Sequence, residues 1–178
     1  MSMQNELDEI DKNIIALLQQ NPTITHSDIA KQLNRSQPAI GARIKKLSDR
    51  GILDTQIGVN FQQINDLILV KVEIITQRPE EIMQMAECCP FIINTLKLSG
   101  EYNVAVLMTA SNLRKIDAVV DNHFRNRDYI SKVKVDLITG LAKKFILPVD
   151  FSMEQLDPTS PIGCQKNCKY CKTKPGEK

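Results

Sequence analysis

The sequence predicts an α+β fold in two parts. An N-terminal winged helix-turn-helix spans residues 1–60, and a ferredoxin-like βαββαβ unit spans 66–148. Three observations lead there. The first fifty residues hold three apolar stripes of helical period, each with its own start and stop signals. The segment after residue 66 alternates strand-period and helix-period stretches in the order βαββαβ. The remainder, 149–178, is polar, rich in proline and cysteine, and reads as a flexible linker and tail.

In "LDEIDKNIIALLQQNP", Ile10, Ile14, Leu17 and Leu18 recur at helical spacing. Asp8 is placed to cap the start, and Asn21-Pro22 stops the helix. In "TITHSDIAKQLN", Thr25 and Asp28 approximate a capping box and Ile29 and Leu33 share a face, which predicts a second, shorter helix. After the turn "NRS", Ser36 caps "QPAIGARIKKLSDR", whose Ile40, Ile44 and Leu47 form one stripe before Gly51 ends it. "GILDTQIGVNF" then reads as the short strand pair of the wing.

The second part follows the same logic. In "LILVKVEIIT", Val70, Val72 and Ile74 share one face, and "RPEEIMQMAECC" begins a helix at Pro79 that runs to Cys88 and Cys89. "FIINTLKLSG" and "YNVAVLMTA" are strands around the turn "SGEY". Ser111 is placed to cap "NLRKIDAVVDNHF", with Leu113, Ile116, Val120 and Phe124 inward. In "ISKVKVDLI", Val133, Val135 and Leu137 alternate with polar residues. The opposite face of the first strand carries Leu69, Lys71, Glu73 and Ile75, too apolar for water and too charged for a core. A partner sheet is its expected cover, so a homodimer is expected.

Composition narrows the function classes. With 178 residues and 42% hydrophobic content the chain can bury a core, and no apolar run approaches the roughly 20 residues of a membrane helix. The N-terminus is acidic where a signal peptide would be basic, so a cytoplasmic setting is expected. The net charge of +2 hides an asymmetry: Glu6, Asp8, Glu9 and Asp11 open the chain, whereas residues 31–50 are strongly basic. With the apolar stripe of the third helix inward, Pro38, Ala42, Lys45 and Asp49 point outward, flanked by Gly41 and Lys46. Double-stranded DNA is the partner such a face suits. Small residues near the helix start allow close approach, Lys45, Lys46 and Arg50 suit phosphates, and Gln37 and Arg43 have the geometry to read bases. With the cap Ser36, these make up the candidate DNA-binding set.

From its Leu-Asp-x-x-Asp opening to its Arg-Gly-Ile-Leu exit, residues 7–53 resemble the DNA-binding domain of the leucine-responsive regulator/AsnC (Lrp/AsnC, feast/famine) family. The resemblance implies a transcriptional regulator with a second, RAM-type domain that dimerises through its sheets, often assembles further, and binds amino-acid effectors. Carried onto this chain, it nominates Ser99, Gly100, Glu101 and Tyr102 as effector-binding. Asn103 stands where an acid is common in the family. A plain hairpin turn needing Gly100 for its dihedrals is the structural alternative.

Two further readings bear on chemistry. Some proteins of similar architecture are haem-pathway decarboxylases, but neither His26 nor His123 stands beside a visible acid or nucleophile, so no catalytic residue is nominated and a non-enzyme is expected. The tail "GCQKNCKYCKTKPGEK" offers Cys164, Cys168 and Cys171 as metal ligands, beside lysines that favour thiolates. Zinc leads, with copper(I) and an iron-sulfur cluster behind it. A thiol switch and an inert tail remain open. The linker's Pro148, Pro158 and Pro161 suggest an extended tether, and Cys89 reads as a buried small hydrophobe. Regulation is therefore expected through an amino acid, or through metal or redox state at the tail.

Overall fold

The computed structural model describes residues 6–160 and 164. The chain divides into two compact units, Met1–Gln56 and Ile57–Lys178. The first holds helices α1 (Glu9–Gln20), α2 (His26–Gln32) and α3 (Gln37–Asp49). All three start on the caps legible in the sequence. The Asp8 side chain accepts from the Asp11 N–H at 2.8 Å, Thr25 accepts from the Asp28 N–H at 3.1 Å, and Ser36 from the Ala39 N–H at 3.4 Å. Each satisfies one of the donors that a helix start leaves unpaired. The turn between α2 and α3 is made by Asn34 at φ 51°, a left-handed conformation that asparagine tolerates, and α3 is closed by Gly51 at φ 64°. Ile14, Ile29 and Ile40, one from each helix, are fully buried together. Burying such a side chain contributes about 1.5–3 kcal/mol, which is what holds helices this short.

The wing differs from expectation. Residues 51–58 carry no strand. Val59–Asn60 forms a two-residue strand, β1, that pairs with β6 (Ile146–Leu147) of the second unit rather than folding back on its own neighbours. A β-carbon at Gly58 would stand 2.6 Å from the Leu147 carbonyl oxygen, so only glycine permits this approach.

The second unit has the expected βαββαβ order. β2 (Ile68–Thr76), α4 (Pro79–Ala86), β3 (Ile92–Lys97), β4 (Val104–Ala110), α5 (Leu113–Val120) and β5 (Ile130–Leu137) build an antiparallel sheet in the order β3-β4-β2-β5. Register places Val70, Val72 and Ile74 opposite Met108, Val106 and Val104. These six are wholly buried against Ile82, Met85, Ile116, Val120 and Phe124. The other sheet face carries Leu69, Lys71, Glu73 and Ile75, as expected. It also carries the cross-strand neighbours Ala105, Leu107, Lys132, Lys134 and Asp136.

Several local expectations need correction. α4 ends at Ala86, so Cys88 and Cys89 lie in the following turn, Cys88 exposed and Cys89 buried. Asn112, not Ser111, caps α5, its side chain accepting from the Lys115 N–H. That cap leaves Leu113 in the first turn, 52% exposed. A π-helical turn, Asp121–Arg125, then continues α5 and carries the buried His123 and Phe124. Residues 149–160 are also not simply an extended tether. Phe151–Gln155 is a 3-10 turn that buries Met153, and the Asn122 side chain donates to the Pro158 carbonyl. Buried Met153, with Val149 and Leu156 packed against the same cluster and Cys164 beyond the segment, supplies the burial that the polarity concealed.

Candidate nucleic-acid interface and effector turn

The stripe of α3 that packs against α1 and α2 leaves the opposite side to solvent. Ser36, Gln37, Pro38, Ala42, Lys45 and Lys46 are exposed, Gly41 and Arg50 half-buried. Pro38 lies in the first turn, where its missing N–H costs nothing. This surface has the shape and charge needed to enter a major groove. Small residues lie at its leading end and lysines at its trailing end.

Arg43 is placed differently from its sequence reading. Its Nη1 donates to Asp8 at 2.6 Å and to Asp11 at 2.7 Å, joining the start of α1 to α3. The guanidinium is therefore committed to the protein's own carboxylates rather than held ready for a base. The Asp11 N–H, and after it Arg43, hold the Asp8 carboxyl below the usual carboxylate range. The acidic opening of the chain thus serves as helix cap and ion-pair partner at once. Sequence spacing gave no sign of this, because 35 residues separate Arg43 from Asp8.

The effector turn, Leu98–Asn103, joins β3 to β4. Ser99, Gly100 and Glu101 are exposed and Tyr102 half-buried. Lys132 of β5 places its Nζ 5.3 Å from the Tyr102 ring centroid, and Tyr102 followed by Glu101 raises the lysine's proton affinity. Lys132 is the charged neighbour that sequence reading missed, since only the β2–β5 register brings it near. Gly100 does not lie in the left-handed region, and a β-carbon there would make an ordinary 3.8 Å contact, so the turn does not depend on it. What fixes the turn is Asn103. Its Oδ1 accepts from the Thr76 N–H at 3.0 Å and its Nδ2 donates to the Thr76 carbonyl at 2.7 Å. An amide can do both, whereas a carboxylate can only accept.

Of the three cysteines read as metal ligands, one lies among the described residues. Cys164 is buried, 6% exposed, within the main apolar cluster. Cys168 and Cys171 lie outside the described residues. Among the described residues no three His, Cys, Asp or Glu side chains gather as a metal site would require. His123 lies in the core with its Nε2 4.0 Å from the Cys89 sulfur, away from solvent and any candidate substrate.

A two-part chain with a helix-turn-helix whose third helix presents a basic, open face belongs to the class of DNA-binding proteins. Comparison with known proteins agrees: residues 7–54 match the winged helix-turn-helix DNA-binding family. The regulator LrpA of Pyrococcus horikoshii is 26% identical over 131 residues, covering 71% of this chain and 92% of its own. LysM of Saccharolobus solfataricus, also an HTH-type transcriptional regulator, is 28% identical over 117 residues, covering 65% of this chain and 82% of its own. Among solved structures, AsnC of E. coli superposes with a TM-score of 0.67 at 18% identity, covering 79% of this chain and 97% of its own. A feast or famine regulatory protein from M. tuberculosis, complexed with L-methionine, gives 0.67 at 18%, covering 78% and 96%. The relatives' names and the shared fold support a helix-turn-helix transcriptional regulator of the Lrp/AsnC type. The relatives are named as transcriptional regulators, which favours the expected non-enzyme over the decarboxylase alternative. Among the described residues no helix is long and apolar enough to cross a membrane.

Proposed function

We propose that the chain is a sequence-specific regulator of transcription that binds double-stranded DNA as a homodimer or larger assembly in the cytoplasm and answers to an amino-acid effector. The observation that carries the DNA reading is the open face of α3, with Gln37, Pro38, Ala42, Lys45 and Lys46 all exposed. Replacing Lys45 and Lys46 together by alanine is expected to weaken binding to every duplex and lower the salt slope by about 0.9 per lost phosphate contact. An unchanged slope in the double variant would remove α3 from the groove.

The open sheet face supports the dimer. Lys71, Glu73, Lys134 and Asp136 form a closed ring of ion pairs, from 2.8 Å between Lys134 and Asp136 to 3.7 Å between Lys71 and Asp136. Charges so neutralised can be covered by a second sheet at less cost than isolated ones. Light scattering of the ligand-free protein should show dimers or larger species, and a stable monomer at micromolar concentration would count against this reading. For the effector, the support is the exposed Ser99–Tyr102 turn with Glu101 and Lys132 beside it, together with the neighbours whose structures hold L-methionine. Glu101 is chemically suited to an ammonium group and Lys132 to a carboxylate. Calorimetric titration with the amino acids is the test, and Glu101→Gln should abolish any heat.

Control through the tail is a second reading. It rests on the three thiols Cys164, Cys168 and Cys171 at Cys-x3-Cys-x2-Cys spacing, with zinc preferred over copper(I) or an iron-sulfur cluster. Metal analysis of anaerobically purified protein, against a variant with Cys164→Ser, Cys168→Ser and Cys171→Ser, decides it. Equal metal content in the two would leave the tail without this role.

A further inference from the structure

The second unit buries a thiol and an imidazole side by side, and neither the DNA-binding face nor the effector turn uses them. Cys89 lies in the turn after α4, and His123 lies in the π-helical turn after α5. The Cys89 Sγ and the His123 Nε2 stand 4.0 Å apart, and the two residues are only 5% and 0% exposed. Turns of the π type are rare and occur mostly at functional sites.

The C-terminal segment is drawn to the same place. The side chain of Asn122, next to His123 in the chain, donates to the Pro158 carbonyl at 3.1 Å. Val149, Met153 and Leu156 pack on the apolar cluster that holds Cys89, and Cys164 is buried in that cluster as well, 6% exposed. The first of the tail's three thiols therefore shares a cluster with the thiol that faces His123. An open cavity of about 330 Å³, lined by Cys88, Cys89, Pro90, Pro148, Val149 and Asp150, gives a path to Cys89 from outside.

We propose that Cys89 and His123 are metal ligands: with Cys164 and one thiolate of the Cys168-x-x-Cys171 pair they bind a single zinc ion that pins the tail to the core of the second unit. The proposal rests on the reading of the tail as metal-binding and adds the two ligands that the fold itself supplies. Zinc bonds of about 2.3 Å to sulfur and 2.0–2.1 Å to nitrogen, at a tetrahedral angle, hold two such donors about 3.6 Å apart. From 4.0 Å, a small side-chain rotation brings the pair onto one ion. Cys89 binds as the thiolate, its proton passing to solvent, and His123 binds through the Nε2 lone pair with the ring proton on Nδ1. Thiolate charge offsets that of the ion, which lets a dication sit in an apolar cluster. Three tail thiols alone leave one of four positions open, whereas two core donors and two tail donors close the tetrahedron that a structural site requires. Among the described residues no set of three donors is assembled, so the pair is the preformed half of the site and the tail completes it on loading.

The test uses the full chain, purified without oxygen, with zinc as the probe. X-ray absorption at the zinc edge should show sulfur at about 2.3 Å and nitrogen at about 2.0–2.1 Å, with the outer-shell scattering of an imidazole. The chain has two histidines, and the imidazole signal should vanish in His123→Gln. Cobalt(II) titration followed by zinc competition should place Cys89→Ser and His123→Gln more than about 100-fold below wild type in affinity, beyond the roughly 10–100-fold loss of a residue that merely supports a ligand. Melts of the metal-free variants check their folding, and the wild-type absorption spectrum needs no variant at all.

A wild-type zinc shell without imidazole, or either folded variant at wild-type affinity, overturns the proposal and leaves the tail reading standing. Failure of the tail reading looks different. In that case wild type binds no zinc, or the variant with serine at 164, 168 and 171 binds it as tightly as wild type, and both readings fall.

Discussion

Replacing Asn103 by aspartate introduces the residue type that the resemblance to Lrp/AsnC proteins implies at this position and asks why an amide stands here. In the present structure Asn103 closes the β3–β4 turn onto the end of β2 through paired bonds to the Thr76 N–H at 3.0 Å and the Thr76 carbonyl at 2.7 Å. Its own N–H donates to the Ile74 carbonyl, a bond the substitution leaves in place. Aspartate keeps the first side-chain bond and loses the second, and its carboxylate oxygen then faces a carbonyl oxygen where a donor stood. One lost hydrogen bond costs about 0.5–1.5 kcal/mol, and an acceptor left facing an acceptor adds about 1 kcal/mol in a half-buried site. The expected deficit is about 2 kcal/mol at neutral pH, or roughly 5–10 °C in the melting temperature of this unit.

The deficit should depend on pH with a definite sign. The folded state favours the protonated carboxyl, which donates to the Thr76 carbonyl, so its folded pKa lies above the ordinary value of about 3.9. Stability is then fully regained below the ordinary value and lost as pH rises through the folded one. Thermal melts of wild type, Asn103→Asp and Asn103→Ala across this range isolate the effect. The alanine variant should lose both bonds and show no pH-dependent difference from wild type. An aspartate variant as stable as wild type at neutral pH, or one whose deficit does not shrink on acidification, would refute the account.

Three further outcomes are expected. Gly58→Ala should destabilise the second unit by about 1–3 kcal/mol, because the new carbon would meet the Leu147 carbonyl at 2.6 Å and only separation of β1 from β6 relieves it; an unchanged melting temperature would contradict that close pairing. Acid should loosen the first unit: the Asp8 carboxyl is held below its ordinary range, so its contribution is present above that range and lost as pH falls through the folded value. Helical circular dichroism of Asp8→Asn should accordingly show a smaller acid dependence than wild type. Phe124→Ala should cost about 3–5 kcal/mol, because the ring is wholly buried under the sheet; a smaller loss in denaturant titration would mean that the π-helical turn collapses to fill the space.

What the sequence determined by itself was whatever local periodicity and local hydrogen bonding control. The caps at Asp8, Thr25 and Ser36 act within three residues, and the alternation of Val70, Val72 and Ile74 needs only the period of a strand to place a face. The class of protein and the outward face of α3 follow from those signals. Only the tertiary structure decided where long-range partners lie. Arg43 pairs with Asp8 and Asp11, Val59–Asn60 pairs with Ile146–Leu147, and Asn103 closes on Thr76. None of these contacts leaves a periodic trace, because each joins two segments whose spacing in sequence carries no geometric constraint. Cys164 shows the same limit from the other side. Its neighbours are polar and suggest an open tail, yet a single small apolar side chain is buried by the surface it meets, and that surface is built by residues far from it in sequence.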